Sequence, residues 1–231
     1  MIYATKPNRK ETLLGMIYLI INIFVLPGLI STAHALMGSP LRAGQLNFLF
    51  FFINFTFVTL IFRKYLLSSL RDALKTPFLT IWYAVLGYMG NLVLGEIVTI
   101  FCLRIYPGFH NVNDSSITAI LQEDFAPMAF GTIVLVPLVE ETLYRGLIFR
   151  KLYDKKPLAA YLLSAIFFAD IHVTGYIGQY EPLHLFACFL QYLPAGYCLA
   201  FAYRSSGTIV SPILMHMAVN AAGMLALRVS S

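Results

Sequence analysis

Residues 127–149 read PMAFGTIVLVPLVEETLYRGLIF, an apolar run of membrane-spanning length whose charged residues are Glu140, Glu141 and Arg145. A charged side chain near a bilayer centre costs at least ~2.5–3.5 kcal/mol on insertion scales, so such residues face an interior and usually act there. On a helix, residues four apart share a face and adjacent residues diverge by ~100°. Glu141 and Arg145 are therefore expected to pair along one stripe and largely neutralise each other. Glu140 should point elsewhere, beside Pro137 and Tyr144, with no partner on its own helix. That suits a group that takes and gives a proton.

The rest of the chain sets this segment in lipid. Of its 231 residues, 59% are hydrophobic and only 12% charged, and the mean hydropathy is +0.75. A soluble domain carries roughly a quarter charged residues, about twice the share here. The net charge of +5 does not point to nucleic acid, because the basic residues fall in short clusters between apolar runs, as topology signals do. Cys102, Cys188 and Cys198 form no Cys-x-x-Cys pair and read as small buried hydrophobes rather than a disulfide or zinc framework.

Seven apolar segments can be marked, at about 13–36, 46–62, 78–103, 127–149, 158–173, 183–203 and 208–227, each near the ~20 residues that a span requires. The first ends at Ala33-His34-Ala35, which resembles a signal-peptidase site, but it is longer than a signal core and reads as a retained helix. Residues 63–75, RKYLLSSLRDALK, suit an amphipathic helix on the membrane face. Residues 107–126 read as a polar loop that could partly cover a site. With the N-terminus inside, one side collects Lys6, Arg9, Lys10, Arg63, Lys64, Arg71, Lys75, Arg150, Lys151, Lys155, Lys156 and Arg204, and the other only Arg42, Arg104 and Arg228. The positive-inside rule then places the N-terminus in the cytoplasm. The expectation is one all-α, polytopic membrane domain over residues 1–231.

Two further polar pairs sit in late segments. His216 and Asn220 share one face of the last, and an imidazole beside a carboxamide is a plausible oxyanion-stabilising pair. Phe168 and His172 share a face of the fifth, where the ring can fix the imidazole. Glu140 lies ten residues before Arg150 and His216 twelve after Arg204, each roughly 15–18 Å deep at ~1.5 Å per residue. His172, sixteen residues beyond Lys156, comes out several ångströms deeper. Glu96 reads as a polar contact within the bundle, Asp170 as structural, and His34, His110 and His184 as solvated histidines at span edges. Gly146, Gly196 and Gly223 are expected to permit close helix packing.

Glu140-Glu141-x-x-x-Arg145, Phe168-x-x-x-His172 and His216-x-x-x-Asn220, in that order on three late apolar segments, resemble the CPBP family of type II CAAX prenyl endopeptidases and bacteriocin-processing or immunity (Abi) proteins. The resemblance covers about residues 127–227; the first three spans match only as generic helices. It implies an intramembrane peptidase in which Glu140 and His172 activate a water and His216 and Asn220 stabilise the oxyanion. Glu141 and Arg145 would support the site, and the motif segments would form a conical cavity open to lipid and cytoplasm. The implied substrate is a peptide or lipidated protein at the membrane. Glu140, His172 and His216 could instead supply three zinc ligands, although Asn220, a poor zinc ligand and a good donor, favours a metal-free site. A non-catalytic immunity or transport protein with a polar bundle core is the alternative reading, and neither substrate nor oligomeric state is legible.

Overall fold

The computed structural model describes residues 5–38 and 40–230, with side chains as far as residue 226. The side chain of Arg228, counted above with the outward charges, lies outside the described residues. Helices make up almost the whole chain, and no strand occurs among the described residues beyond one bridge between Ile177 and Tyr180. The protein is an all-α polytopic bundle.

The helix α1 (Arg9–Phe24) starts at a capping box: Asn8 accepts from the Lys10 and Glu11 amides, and the Glu11 carboxylate returns to the Asn8 amide at 2.9 Å. A 49° bend separates it from α2 (Leu26–Leu36), where Pro27 lacks the amide that would continue the helix. After α3 (Ala43–Ile61) comes α4 (Arg63–Lys75), over the bounds expected for the amphipathic helix. Tyr65, Ser69 and Ala73 face the bundle, and Leu67, Leu70 and Leu74 are left on the outside. The long α5 (Pro77–Ile105) follows. Glu96 is exposed on its outer surface, so it is not the bundle contact the sequence suggested.

Residues 107–126 are not a loop. Asn111 caps α6 (Val112–Phe130) by accepting from the Asn113 and Asp114 amides. The helix kinks at Asp124, three residues before Pro127, whose ring cannot follow a regular turn. It then continues through a wide turn, Gly131–Leu135, into α7 (Val136–Glu140), a second wide stretch, Glu141–Phe149, and α8 (Arg150–Tyr153). The helices α9 (Pro157–Val173), α10 (Pro182–Ser206) and α11 (Val210–Ser230) follow, each reversing the direction of the one before it.

Five of these runs are long and apolar enough to cross a membrane: Ala43–Ile61, Pro77–Ile105, Val112–Tyr153, Pro157–Tyr176 and Pro182–Ser206. The bent α1–α2 pair makes a sixth, and Val210–Ala226 is a shorter apolar helix. The seven apolar segments of the sequence each map onto one of them. Their basic ends gather together. The Glu11 carboxylate accepts from the Tyr65 amide at 2.9 Å, Tyr65 and Tyr203 share a 3.1 Å hydroxyl contact, and Arg204 donates to the Tyr153 hydroxyl at 2.6 Å.

Close packing depends on two of the three glycines singled out. A Cβ on Gly196 would sit 2.6 Å from the Ala165 Cα, and one on Gly146 would sit 2.8 Å from the Tyr65 ring; around Gly223 nothing lies within 4 Å. Gly196→Ala should therefore force α9 and α10 apart and cost about 1–3 kcal/mol, whereas Gly223→Ala should leave stability unchanged or slightly raised. Thermal unfolding of both variants in detergent checks this, and equal midpoints would refute it.

Candidate active site

The wide stretch carrying the acids departs from the α-helix assumed from sequence. The Arg150 amide donates to the Arg145 carbonyl and the Val136 amide to the Gly131 carbonyl, both i→i+5 bonds. Such wide turns are rare and occur frequently at functional sites. Pro137 accounts for the first. With the Val136 amide bound to Gly131, the next donor in i→i+5 register for the Thr132 carbonyl would be Pro137, which has no N–H. Asn220 takes that place, its amide donating to the Thr132 carbonyl at 2.7 Å. One Asn220 N–H is thus committed to the backbone, a use that sequence did not reveal, and a second remains on the same amide.

Glu141 and Arg145 pair as expected, with Nη1 2.9 Å from Oε1 and both side chains fully buried. The same carboxylate oxygen accepts from His216 Nδ1 at 2.8 Å. Arg145 also donates to the Gly196 carbonyl at 3.2 Å and lies over the Phe168 ring, 4.8 Å from its centroid. One carboxylate therefore joins the motif stretch to α11, and its guanidinium partner joins it to α10 and α9.

Glu140 is treated differently by the fold. It is half-buried, and its Oε2 is buried with no hydrogen-bond partner among the described residues. Glu141 Oε2 and Arg145 Nε are buried and unmatched as well. Leaving such groups unpaired costs about 1–3 kcal/mol each and more when charged, so three of them within six residues mark a place where structure alone is not being optimised.

His172 is held by Phe168 twice. Its ring lies 4.6 Å from the Phe168 ring, and its Nδ1 donates to the Phe168 carbonyl at 2.7 Å. A carbonyl can only accept, so in the neutral imidazole the bare nitrogen is Nε2. His216 is fixed in the same sense, because its Nδ1 faces the Glu141 carboxylate. Phe168 also packs on Arg145 and on the His216 ring, 5.5 Å away. Among the described residues no group of three or more His, Cys, Asp or Glu is placed to hold a metal.

Sequence reasoning passed over Tyr192. Its ring stacks on His172 at 4.3 Å, and its hydroxyl contacts Asn111 at 3.2 Å and Asn113 at 3.1 Å. The polar start of α6 thus braces the site from above, and Gln191 extends the network to Asn111 at 2.7 Å and Thr99 at 3.1 Å. A tyrosine among so many aromatics gave no signal. His184, read as solvated, is instead buried, donates to the His110 carbonyl at 2.7 Å and stacks on Tyr106 at 4.6 Å. Asp170 is exposed.

Residues 122–222 match the family model described as type II CAAX prenyl endopeptidase Rce1-like. Over that stretch the chain is similar to that family. The Rce1-like region runs from α6 into α11 and contains Glu140, Glu141, Arg145, His172, His216 and Asn220, so the resemblance carried by the three motifs is borne out. The chain is also similar to UPF0177 protein YxdF of Lactococcus lactis subsp. lactis (strain IL1403), 26% identical over 164 residues, which is 70% of this chain and 86% of that protein. No solved structure matches.

The two adjacent acids should respond differently to the same change. Glu141→Gln strands a fully buried guanidinium and should cost about 3–5 kcal/mol, read as a large drop in thermal midpoint in detergent. Glu140→Gln, which breaks no ion pair, should leave the midpoint nearly unchanged. Equal losses would remove the distinction.

Proposed function

We propose that the protein is an intramembrane endopeptidase that hydrolyses a peptide bond of a membrane-associated substrate, with Glu140 as the group that activates water. The observation carrying this reading is a buried, unpaired Glu140 carboxylate oxygen beside an ion-paired Glu141, inside the Rce1-like region.

In the proposed reaction Glu140 accepts a proton from water as the oxygen attacks the scissile carbonyl carbon. His172, with Nδ1 anchored on the Phe168 carbonyl, orients that water through Nε2. The tetrahedral oxyanion is met by His216, which donates from Nε2 when protonated while Glu141 holds its Nδ1, and by the second N–H of Asn220. The two carboxylates, Arg145 and a protonated His216 then form a charge-balanced set. As the tetrahedral species collapses, the C–N bond breaks and Glu140 passes its proton to the leaving amine. No step is routed through a metal.

The substrate class follows from setting rather than from a pocket lining. A site within a membrane bundle suits a lipidated or membrane-anchored peptide, a prenylated CAAX-type tail or a leader peptide among them. The gathered basic ends favour a cytoplasmic N-terminus, with the site in the cytoplasmic half of an integral, multi-pass protein.

Purified protein should cleave at least one member of a panel of prenylated and leader-peptide substrates, as followed by mass spectrometry of the products. Glu140→Ala and His172→Ala should lower turnover by two orders of magnitude or more, Glu140→Ala while keeping the thermal midpoint. Wild-type turnover by Glu140→Ala would sink the assignment. Activity should also survive chelation; stoichiometric zinc lost together with activity would replace the metal-free mechanism.

A further inference from the structure

A groove of about 560 Å³ opens between the N-terminal segment with α1 on one side and the end of the motif stretch with α8 on the other. The α1 wall is ordered along its length. On α1, Arg9, Leu13 and Met16 fall at i, i+4 and i+7 and form one stripe, charged at the basic end and apolar one and two turns deeper. On the opposite wall Lys151 stands at the basic end, and Leu147, one turn deeper, is buried in the core.

The charge is strongly one-sided. Lys6, Arg9, Arg150 and Lys151 line the groove against a single acid, Asp154, and that acid is paired with Arg150 at 2.5 Å. Lys6, Arg9 and Lys151 make no ion pair among the described residues. The wall bearing Lys6 is fixed at both ends: the Thr5 hydroxyl bonds the Asp72 carboxylate and contacts Ser68 at 3.2 Å, and Asn8 is locked in the capping box of α1.

We propose that this groove binds an anionic phospholipid from the bilayer, its phosphate held by Lys6, Arg9 and Lys151 and an acyl chain laid along the exposed Leu13 and Met16. The order of the α1 wall selects this occupant. A phospholipid carries negative charge at the headgroup and hydrocarbon directly below it, matching that order, whereas a free anion would leave the lower half of the groove unused. A basic groove between helices at a charged membrane face is a recurrent headgroup site.

Native mass spectrometry of the detergent-purified full chain, titrated with phosphatidylglycerol and with phosphatidylcholine, tests the proposal. One phosphatidylglycerol should be retained at concentrations where phosphatidylcholine is stripped. The double variant Lys6→Gln/Lys151→Gln should weaken that retention roughly thirtyfold, the usual weight of two basic groups at an anionic surface. Lys155→Gln/Lys156→Gln removes equal charge outside the groove and should change nothing. Equal retention of the two lipids by wild type overturns the proposal without recourse to any variant. So does an equal loss in the two double variants, and so does displacement of the lipid by millimolar inorganic phosphate, which would make the groove a phosphate site.

Discussion

The arrangement of the late helices depends on a single buried carboxylate oxygen. Glu141 Oε1 accepts from Arg145 within its own helix and from His216 on α11, and Arg145 in turn reaches the Gly196 carbonyl on α10 and the Phe168 ring on α9. In a lipid-solvated bundle apolar contacts alone do little to choose between one helix neighbour and another, because the tails are as apolar as the side chains. A fully buried charge with two specific donors discriminates strongly: any other packing would leave it unmatched in a medium of low dielectric. The close approach of α9 and α10 at Gly196 belongs to the same constraint, since the carbonyl met by Arg145 is that of the residue with no room for a Cβ.

Much of this was legible in the sequence, and the reasons differ from element to element. Seven apolar segments announced themselves by length, and the bounds of α4 by its basic ends and mixed leucine spacing. The i, i+4 relation of Glu141 and Arg145 survives even though the stretch is wider than an α-helix, because both geometries bring the two side chains to one side. The rest lay in backbone hydrogen bonding. Pro137, three residues before the acid doublet, was the visible sign of a disturbed ladder. That a wide turn would result, and that Asn220 on another helix would take the freed carbonyl, depends on what packs opposite. The start of α6 was mistaken for a loop because its first turn is polar; Asn111 followed by Asp114 is in hindsight an N-terminal cap with an acidic first turn.

The structure also divides polar side chains into those that hold the bundle and those left unspent. Glu141, Arg145, Asn220, Tyr192 and the asparagines at the start of α6 each have a partner whose loss would be felt as instability. The Glu140 Oε2 does not. His172 is intermediate, clamped on one ring nitrogen and stacked between Phe168 and Tyr192 with the other nitrogen uncommitted. Rigid support around a sparsely bonded reactive set is the arrangement that preorganised chemistry requires.

The contacts of the site also differ in the length of chain they close. The Glu141–Arg145 pair spans four residues, whereas the bonds from His216 to Glu141 and from Asn220 to Thr132 span 75 and 88. The local pair can form as soon as its own turn does, so the motif stretch enters lipid with those two charges already balanced. The distant bonds close only after α9, α10 and α11 have docked, since non-local contacts must wait for the chain between them. Insertion and completion of the site are thereby separated in time: a partly assembled bundle contains the acids but not the histidine that anchors one of them. A centre of this construction is complete only once the whole bundle has formed around it.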